Sequence, residues 1–288
     1  MSSLALALVL LAALVHASWN LLAKQADDPL AFLWCGALVS SVVYLPLGLA
    51  LALTQTAAPG GWAVLGVSVL LETGYYWWLS QAYRHGDLSL VYPIARGMAP
   101  LAVPLLAALF LGERLSAEAA LGIVLVVVGA ASLHLPTFGR KGWAALARAG
   151  RQAGTRYALL AALFIASYTT LDKRGVTLMH PLLYGYLLFL GLTVSLVPVL
   201  RARGTRPRAE WRRHWPRIVA IGVLSPLSYG LVLLALTLAP VSYVAAAREV
   251  AVVIAAVLGT WVLHERYGRQ RLAGSALIAG GLGLLVVG

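Results

Sequence analysis

The stretches LSLVYPIARG (88–97), FLGERLS (110–116) and LGIVLVVVGA (121–130) return later in the chain as VSYVAAAREV (241–250) and VLHERYGRQRLAGSALIAGGL (262–282). At one fixed offset Ala95 meets Ala247, Arg96 meets Arg248, and Glu113 with Arg114 meets Glu265 with Arg266. Gly122 meets Gly274 and Gly129 meets Gly281. Near the start of each copy, ASWNLLAK (17–24) resembles ASYTTLDK (166–173). The chain is therefore one unit written twice.

What each unit contains follows from hydropathy. Of 288 residues, 61% are hydrophobic and 11% charged. A soluble domain of this length cannot bury so much apolar surface. Ten apolar runs are separated by short polar breaks: 4–23, 30–53, 61–83, 88–111, 116–135, 157–172, 181–201, 217–238, 241–263 and 270–287. Each approaches the roughly 20 residues that cross a hydrocarbon core of about 30 Å. Pro29, Pro59, Pro181 and Pro240 stand at breaks, where a missing N–H costs least. Lipid-facing backbone must satisfy its own hydrogen bonds, and the runs are too long for barrel strands. The first run opens the series and is not a signal peptide ahead of a soluble domain. Five helices per copy is an odd number, so the second copy enters the membrane from the opposite side. The expected fold is an all-α polytopic membrane protein, ten transmembrane helices in two inverted five-helix repeats. The first repeat takes 1–139, a basic connecting loop takes 140–156, and the second repeat takes 157–288.

The net charge of +12 resembles a nucleic-acid signal, but its placement argues for lipid headgroups instead. Seventeen basic residues (Lys24, Arg84, five in 140–156, seven in 201–217, three in 266–271) fall after the odd-numbered runs. Only Arg114, Lys173 and Arg174 fall on the other side. Basic loops stay cytoplasmic, so both termini are expected outside, with anionic lipids as partners and no nucleic acid. Arginine exceeding lysine, and abundant alanine, point to a GC-rich bacterial genome and an inner-membrane location. No zinc-ligand cluster, Walker A loop or GxSxG elbow occurs, and no cofactor is expected. Cys35 stands alone in an apolar run. It reads as a small buried hydrophobe rather than a reactive thiol.

Charges inside a bilayer are costly, about 2.5–3.5 kcal/mol each on insertion scales, and mark function by default. Glu72, Arg96, Arg248 and Glu249 lie within apolar runs. Arg96 and Arg248 are each some eight residues into their run, about 12 Å deep, and so should meet near the midplane beside one shared cavity. Two arginines and two glutamates sum to zero. In the functional reading the arginines clasp a carboxylate, phosphate or phosphonate, while a glutamate binds an ammonium or carries a coupling proton. In the structural reading two ion pairs lock the halves together. Tyr75 and Tyr76 share the face of Glu72 and could stack on a substrate. Trp77 and Trp78 read as an interfacial belt. His16, Trp19 and Asn20 share a face of the first helix, with Tyr168 and Thr169 as counterparts in the repeat. His16 is either a proton carrier or a hydrogen-bonded packing residue. Tyr92 precedes Pro93 one turn before Arg96, and Tyr229 and Tyr243 are further lining candidates. Pro93, Pro100 and Pro104 kink the fourth helix, either as a gate or statically. Gly122, Gly129, Gly274, Gly280 and Gly281 permit close helix packing. Glu113 and Glu265 read as turn-stabilising groups or interfacial ion pairs.

The GER at 112–114 and HER at 264–266, each between a helix and a glycine-spaced helix, resemble the EamA-type members of the drug/metabolite transporter superfamily. The resemblance covers nearly the whole chain. HASWN (16–20) and YPIARG (92–97) look like one subgroup of that family. The resemblance implies ten helices, a central cavity between the halves, and movement of small metabolites, with export favoured over uptake. An inverted repeat also points to a secondary transporter working by alternating access. Relatives such as nucleotide-sugar carriers keep their termini in the cytosol, and the charges here argue the reverse. Alternatives are a lipid-linked carrier or flippase, an intramembrane enzyme, or a non-transporting sensor. The last two lack a nucleophile with its base and an output domain, respectively.

Overall fold

The structure is a computed structural model and describes residues 1–23, 26–85, 94–95, 97–134, 152–251, 253–254 and 269–287. Among these every regular element is a helix: α1 (Ser3–Ala23), α2 (Pro29–Val43), α3 (Leu45–Thr54), α4 (Gly61–His85), α5 (Ala99–Leu111), α6 (Ala117–His134), α7 (Ala153–Leu178), α8 (Pro181–Arg203), α9 (Pro207–Leu238), α10 (Val241–Ala247) and α11 (Arg269–Val287). By length and composition α8, α9 and the 18 residues Ser3–Asn20 can each cross a membrane. The pair α2–α3, bent by 55°, is either a broken fourth span or a re-entrant loop. The fourth and ninth expected runs lie partly outside the described residues, as does most of the expected 140–156 loop.

Local chemistry sets the ends. Asp28 caps α2 by accepting from the Ala31 N–H at 3.1 Å, and Pro29 follows in the first turn. Gly112 and Gly204 close α5 and α8 in the left-handed conformation, at φ 66° and 63°, which costs glycine nothing. Inside α9 the backbone leaves helical geometry at His214. Pro216, two residues on, lacks an N–H and crowds the preceding turn. Pro100 begins α5 and Pro104 sits within it.

Several boundaries differ from the hydropathy reading: the second run breaks at Tyr44 into α2 and α3, and the eighth, expected from 217, is helical from Pro207. The sixth run, expected to end at 172, continues as α7 to Leu178. Lys173 and Arg174 are therefore helical rather than loop residues. A charged tripeptide ended the apolar run on paper. In the fold Lys173 donates its ammonium to the Leu236 and Ala239 carbonyls at the end of α9, at 2.5 and 3.0 Å, so the helix proceeds through it.

The packed pairs follow the repeat. α4 packs on α7, and α1 on α9. Each pair joins the third run of one copy to the first run of the other. α6 packs on α11, the fifth runs of the two copies. There the carbonyl of Gly281 stands 2.7 Å from where a Gly122 Cβ would be, and that of Gly122 stands 2.6 Å from where a Gly281 Cβ would be. Gly129 approaches the Gly274 carbonyl in the same way, at 2.7 Å. The contacts join 122 to 281 and 129 to 274, so the two helices run antiparallel. Gly280 has nothing within 4 Å of its Cβ position and takes no part in this contact. Cys35 is buried among Phe32, Ile218 and Ile221.

Candidate functional site

The buried polar centre is built on the antiparallel α4–α7 pair. Gly74 leaves room for the Phe164 ring, whose nearest atom lies 2.3 Å from the would-be Cβ. Further along, Tyr75 meets Tyr168 with ring centroids 6.2 Å apart. Toward the other end Ser68 donates to Asp172 Oδ1 at 2.5 Å. Asp172 is fully buried. It also accepts from the Tyr184 hydroxyl of α8 at 2.6 Å and from the Tyr229 hydroxyl of α9. Tyr184 reaches it because Gly175, three residues further along α7, has no side chain. A Cβ there would lie 2.4 Å from the Tyr184 ring.

Glu72 lies one helical turn beyond Ser68 on the same face of α4 and is 9% exposed. Its Oε2 has no hydrogen-bond partner among the described residues. The charges acting on it are those of Asp172 and Arg248. Arg248 follows α10 directly, and its guanidinium carbon stands 5.9 Å from the centre of the Tyr229 ring. Among the described residues no carboxylate lies within 4 Å of that guanidinium. Tyr229 thus spans the two signs of charge, its ring beneath Arg248 and its hydroxyl on Asp172. Glu249 is buried beside Arg248 in the chain.

Of the residues expected at a site, the structure brings Glu72, Tyr75, Tyr76, Tyr168, Tyr229 and Arg248 to this junction. Tyr76 packs on Tyr75 at 4.9 Å. His16 lines a cavity of about 10 Å³ with Arg248, Ser228 and alanines of α1, room for a single water molecule. Trp19 stands edge-on to His16 at 4.7 Å, and Asn20 donates back to the His16 carbonyl at 2.9 Å. Thr169 is buried in α7. Tyr243 does not join the centre. It packs with Ile123, Val126 and Leu285 of the α6–α11 cluster. Arg96 and Tyr92 lie outside the described residues, as do Pro93, Glu265 and Arg266.

The tryptophans also pack within the fold. Trp78 stacks on Tyr157 of α7 at 5.8 Å and 17°, and Trp77 packs against the main apolar cluster. Both remain partly exposed, so these contacts add a packing role to the one read for them.

Glu113 has the structural role read for it. Its carboxylate accepts from the Val241 N–H at 2.7 Å, the Ser242 N–H at 3.3 Å and the Ser242 hydroxyl at 2.7 Å, tying the start of α10 to the end of α5.

Asp172, Ser68 and Tyr184 were not singled out in the sequence. Asp172 was hidden because the apolar run was ended at its position. The available signal was Tyr168 to Asp172, i to i+4 on the face that buries Ala158, Ala161, Ile165 and Gly175.

At the opposite end of α9, a cleft of about 310 Å³ is lined by Asp27, Asp28, Arg206, Glu210 and Arg213 among others. Asp27, Glu210 and His214 bring ligand atoms within 4.8 Å of one another, a spacing suited to a metal. The two carboxylates are already engaged, however, while His214 Nε2, 3.6 and 3.7 Å from them, has no hydrogen-bond partner among the described residues. Arg213 sits 2.7 Å from Asp27, and the Asp27 and Asp28 N–H groups donate to Glu210 at 3.2 and 3.1 Å. The Arg213 guanidinium holds the Asp27 carboxyl below the usual carboxylate range. The group is a latch between the α1–α2 loop and α9.

Apolar helices in two sequence copies, with a charged centre buried where the copies pack, define a multi-pass helical membrane protein. The model of the EamA-like transporter family matches residues 3–134 and 152–287. The chain belongs to that family, whose members are transporters. No curated protein matches the chain. It is similar in fold to a protein solved by crystallography, at 17% identity and a TM-score of 0.76, over 100% of this chain and 98% of that one.

Proposed function

We propose that the chain is a secondary carrier for a small zwitterionic or anionic metabolite, not an enzyme. Two inverted halves expose one central site alternately to either side of a bacterial inner membrane, in the direction of export. The observation that carries the reading is Arg248, with no carboxylate within 4 Å among the described residues, at the junction where Glu72 of one copy meets Asp172 and Tyr229 of the other. A guanidinium held over an aromatic face is free to offer its donor fork to an acidic group. By the repeat, Arg96 is its counterpart in the first copy. Tyr75, Tyr76 and Tyr168 supply aromatic walls, and His16 borders the arginine. The antiparallel run of α6 and α11, equivalent helices of the two copies, supports the inversion. The basic ends of the chain's helices face the cytoplasm in this reading, with anionic lipids against them and both termini outside.

Purified protein in liposomes, screened by counterflow against a panel of amino acids, organic acids and phosphonates, tests the reading. A member of the panel should exchange. Arg248→Lys should reduce that exchange although the charge is kept, since an ammonium cannot reproduce the planar fork. Folded protein that exchanges nothing, or an Arg248→Lys variant as active as wild type, overturns it.

A further inference from the structure

The transport reading leaves one charge unaccounted for. Glu72, Arg96, Arg248 and Glu249 cancel, but Asp172 adds a third acid to two arginines. Neither neighbour in α7 supplies the missing cation. Lys173 spends its ammonium on the Leu236 and Ala239 carbonyls, and Arg174 is exposed. An excess anion in a dry helical interior carries a large desolvation cost, and such groups take up a proton instead.

We propose that Glu72, on the helix that packs against the one carrying Asp172, is the proton-binding site through which this carrier is coupled to the proton gradient. The inference rests on the transport reading and deepens it by naming the coupling ion and its site. Hydrogen bonding decides which acid carries the proton. Asp172 receives three hydroxyl donors, from Ser68, Tyr184 and Tyr229. That set matches an ionised carboxylate, which only accepts. Glu72 lies one turn beyond Ser68, and its buried Oε2 has no hydrogen-bond partner among the described residues. Two like charges so placed do not both persist, so one carboxyl takes the proton. Among the described residues, the groups whose charge meets that of Glu72 are Asp172 from α7, Tyr184 from α8, Tyr229 from α9 and Arg248 after α10, with Tyr75 and Tyr76 one turn on along its own helix. With the proton bound, Asp172 and Arg248 balance. With the proton released, the centre carries a net negative charge that an ammonium of the cargo can neutralise. Proton and ammonium therefore compete for one place, which is the condition for exchange across the membrane.

Infrared difference spectroscopy of the reconstituted protein across a pH titration reads the proton directly, without any substrate. Wild type should show the C=O stretch of a protonated carboxyl at neutral pH. Glu72→Gln, which keeps the shape of the protonated side chain, should lose that band and keep its thermal stability. Asp172→Asn should keep the band. Survival of the band in Glu72→Gln, or its absence in wild type, overturns the proposal. A second measurement separates this failure from failure of the transport reading. In liposomes, an imposed pH difference should drive accumulation of the panel substrate by wild type. Glu72→Gln should lose this accumulation, and whatever counterflow it keeps should no longer depend on pH. If no substrate moves in wild type, the transport reading fails. If substrate moves but ignores the pH difference, the coupling site fails alone.

Discussion

Tyr229 of α9 donates its hydroxyl to the Asp172 carboxylate of α7 while its ring lies 5.9 Å below the Arg248 guanidinium carbon. One side chain thereby holds a cation and an anion at a fixed separation without letting them pair. Tyr229→Phe keeps the ring and removes the donor. It should cost about 1–3 kcal/mol of stability, the range for a hydrogen bond to a charged group and the loss of its partner. It should also lower exchange by more than this stability loss explains. Thermal unfolding in detergent and counterflow in liposomes, compared on the same preparation, check both parts. Unchanged exchange would mean that Tyr229 only packs.

The α6–α11 contact makes a second prediction. Gly122→Ala places a methyl 2.7 Å from the Gly281 carbonyl oxygen, so the helices must part. Overpacking of this kind costs about 1–3 kcal/mol. Gly280→Ala, with open space around it, should be close to neutral. Melting temperatures of the two variants should separate clearly, and equal values would refute the close packing.

Glu113→Ala removes the acceptor for two amides and a hydroxyl at the start of α10. Leaving such donors unpaired costs about 1–3 kcal/mol. The melting temperature should fall, while the substrate concentration for half-maximal exchange stays at the wild-type value. A shift in that concentration would assign Glu113 to the transport site.

Orientation is tested by a cysteine placed at position 208 in a Cys35→Ala background. Cys35 is buried, so its removal serves only to clear the background. Intact cells should leave position 208 unlabelled by an impermeant reagent, and permeabilised cells should label it. Labelling without permeabilisation would put the basic ends outside.

The Asp27–Arg213 pair predicts a dependence on acidity. The folded-state carboxyl lies below its ordinary value of 3.8, chiefly through the hydrogen bond from Arg213. A lowered value means that the pair contributes stability above that ordinary value and loses it as the pH falls through the folded one. Any melting difference between wild type and Arg213→Gln at neutral pH should therefore vanish in strong acid. It should also shrink with salt, because both groups are exposed. A difference that persists in acid would show that Arg213 acts through something other than Asp27.

Particular residues show where sequence reading succeeds. The glycines at 122, 129, 274 and 281 disclosed the repeat and the close contact, because a packing requirement met by one residue type leaves its mark at fixed spacing. The pairing of 122 with 281 rather than with its equivalent 274 came only from the antiparallel crossing. Glu113 was read as a turn-stabilising group or half of an interfacial ion pair from its place at a helix end, and the structure supplied the amides that it holds. The stacking of Trp78 on Tyr157 was not foreseen, because an aromatic near a helix end looks the same whether lipid or another helix lies beside it. Only the α7 partner distinguishes the two.

Membrane character, the doubled unit and the family were decided by the sequence alone. Hydropathy and repeat spacing are one-dimensional properties, written in residue order, and a bilayer selects on them directly. Asp172 shows the opposite case. Its importance depends on Ser68, Tyr184 and Tyr229, which lie 104, 12 and 57 residues away and belong to three other helices. No periodicity joins such positions. The buried acid became a site only when helix packing brought three hydroxyls to its oxygens and set its charge near that of Glu72.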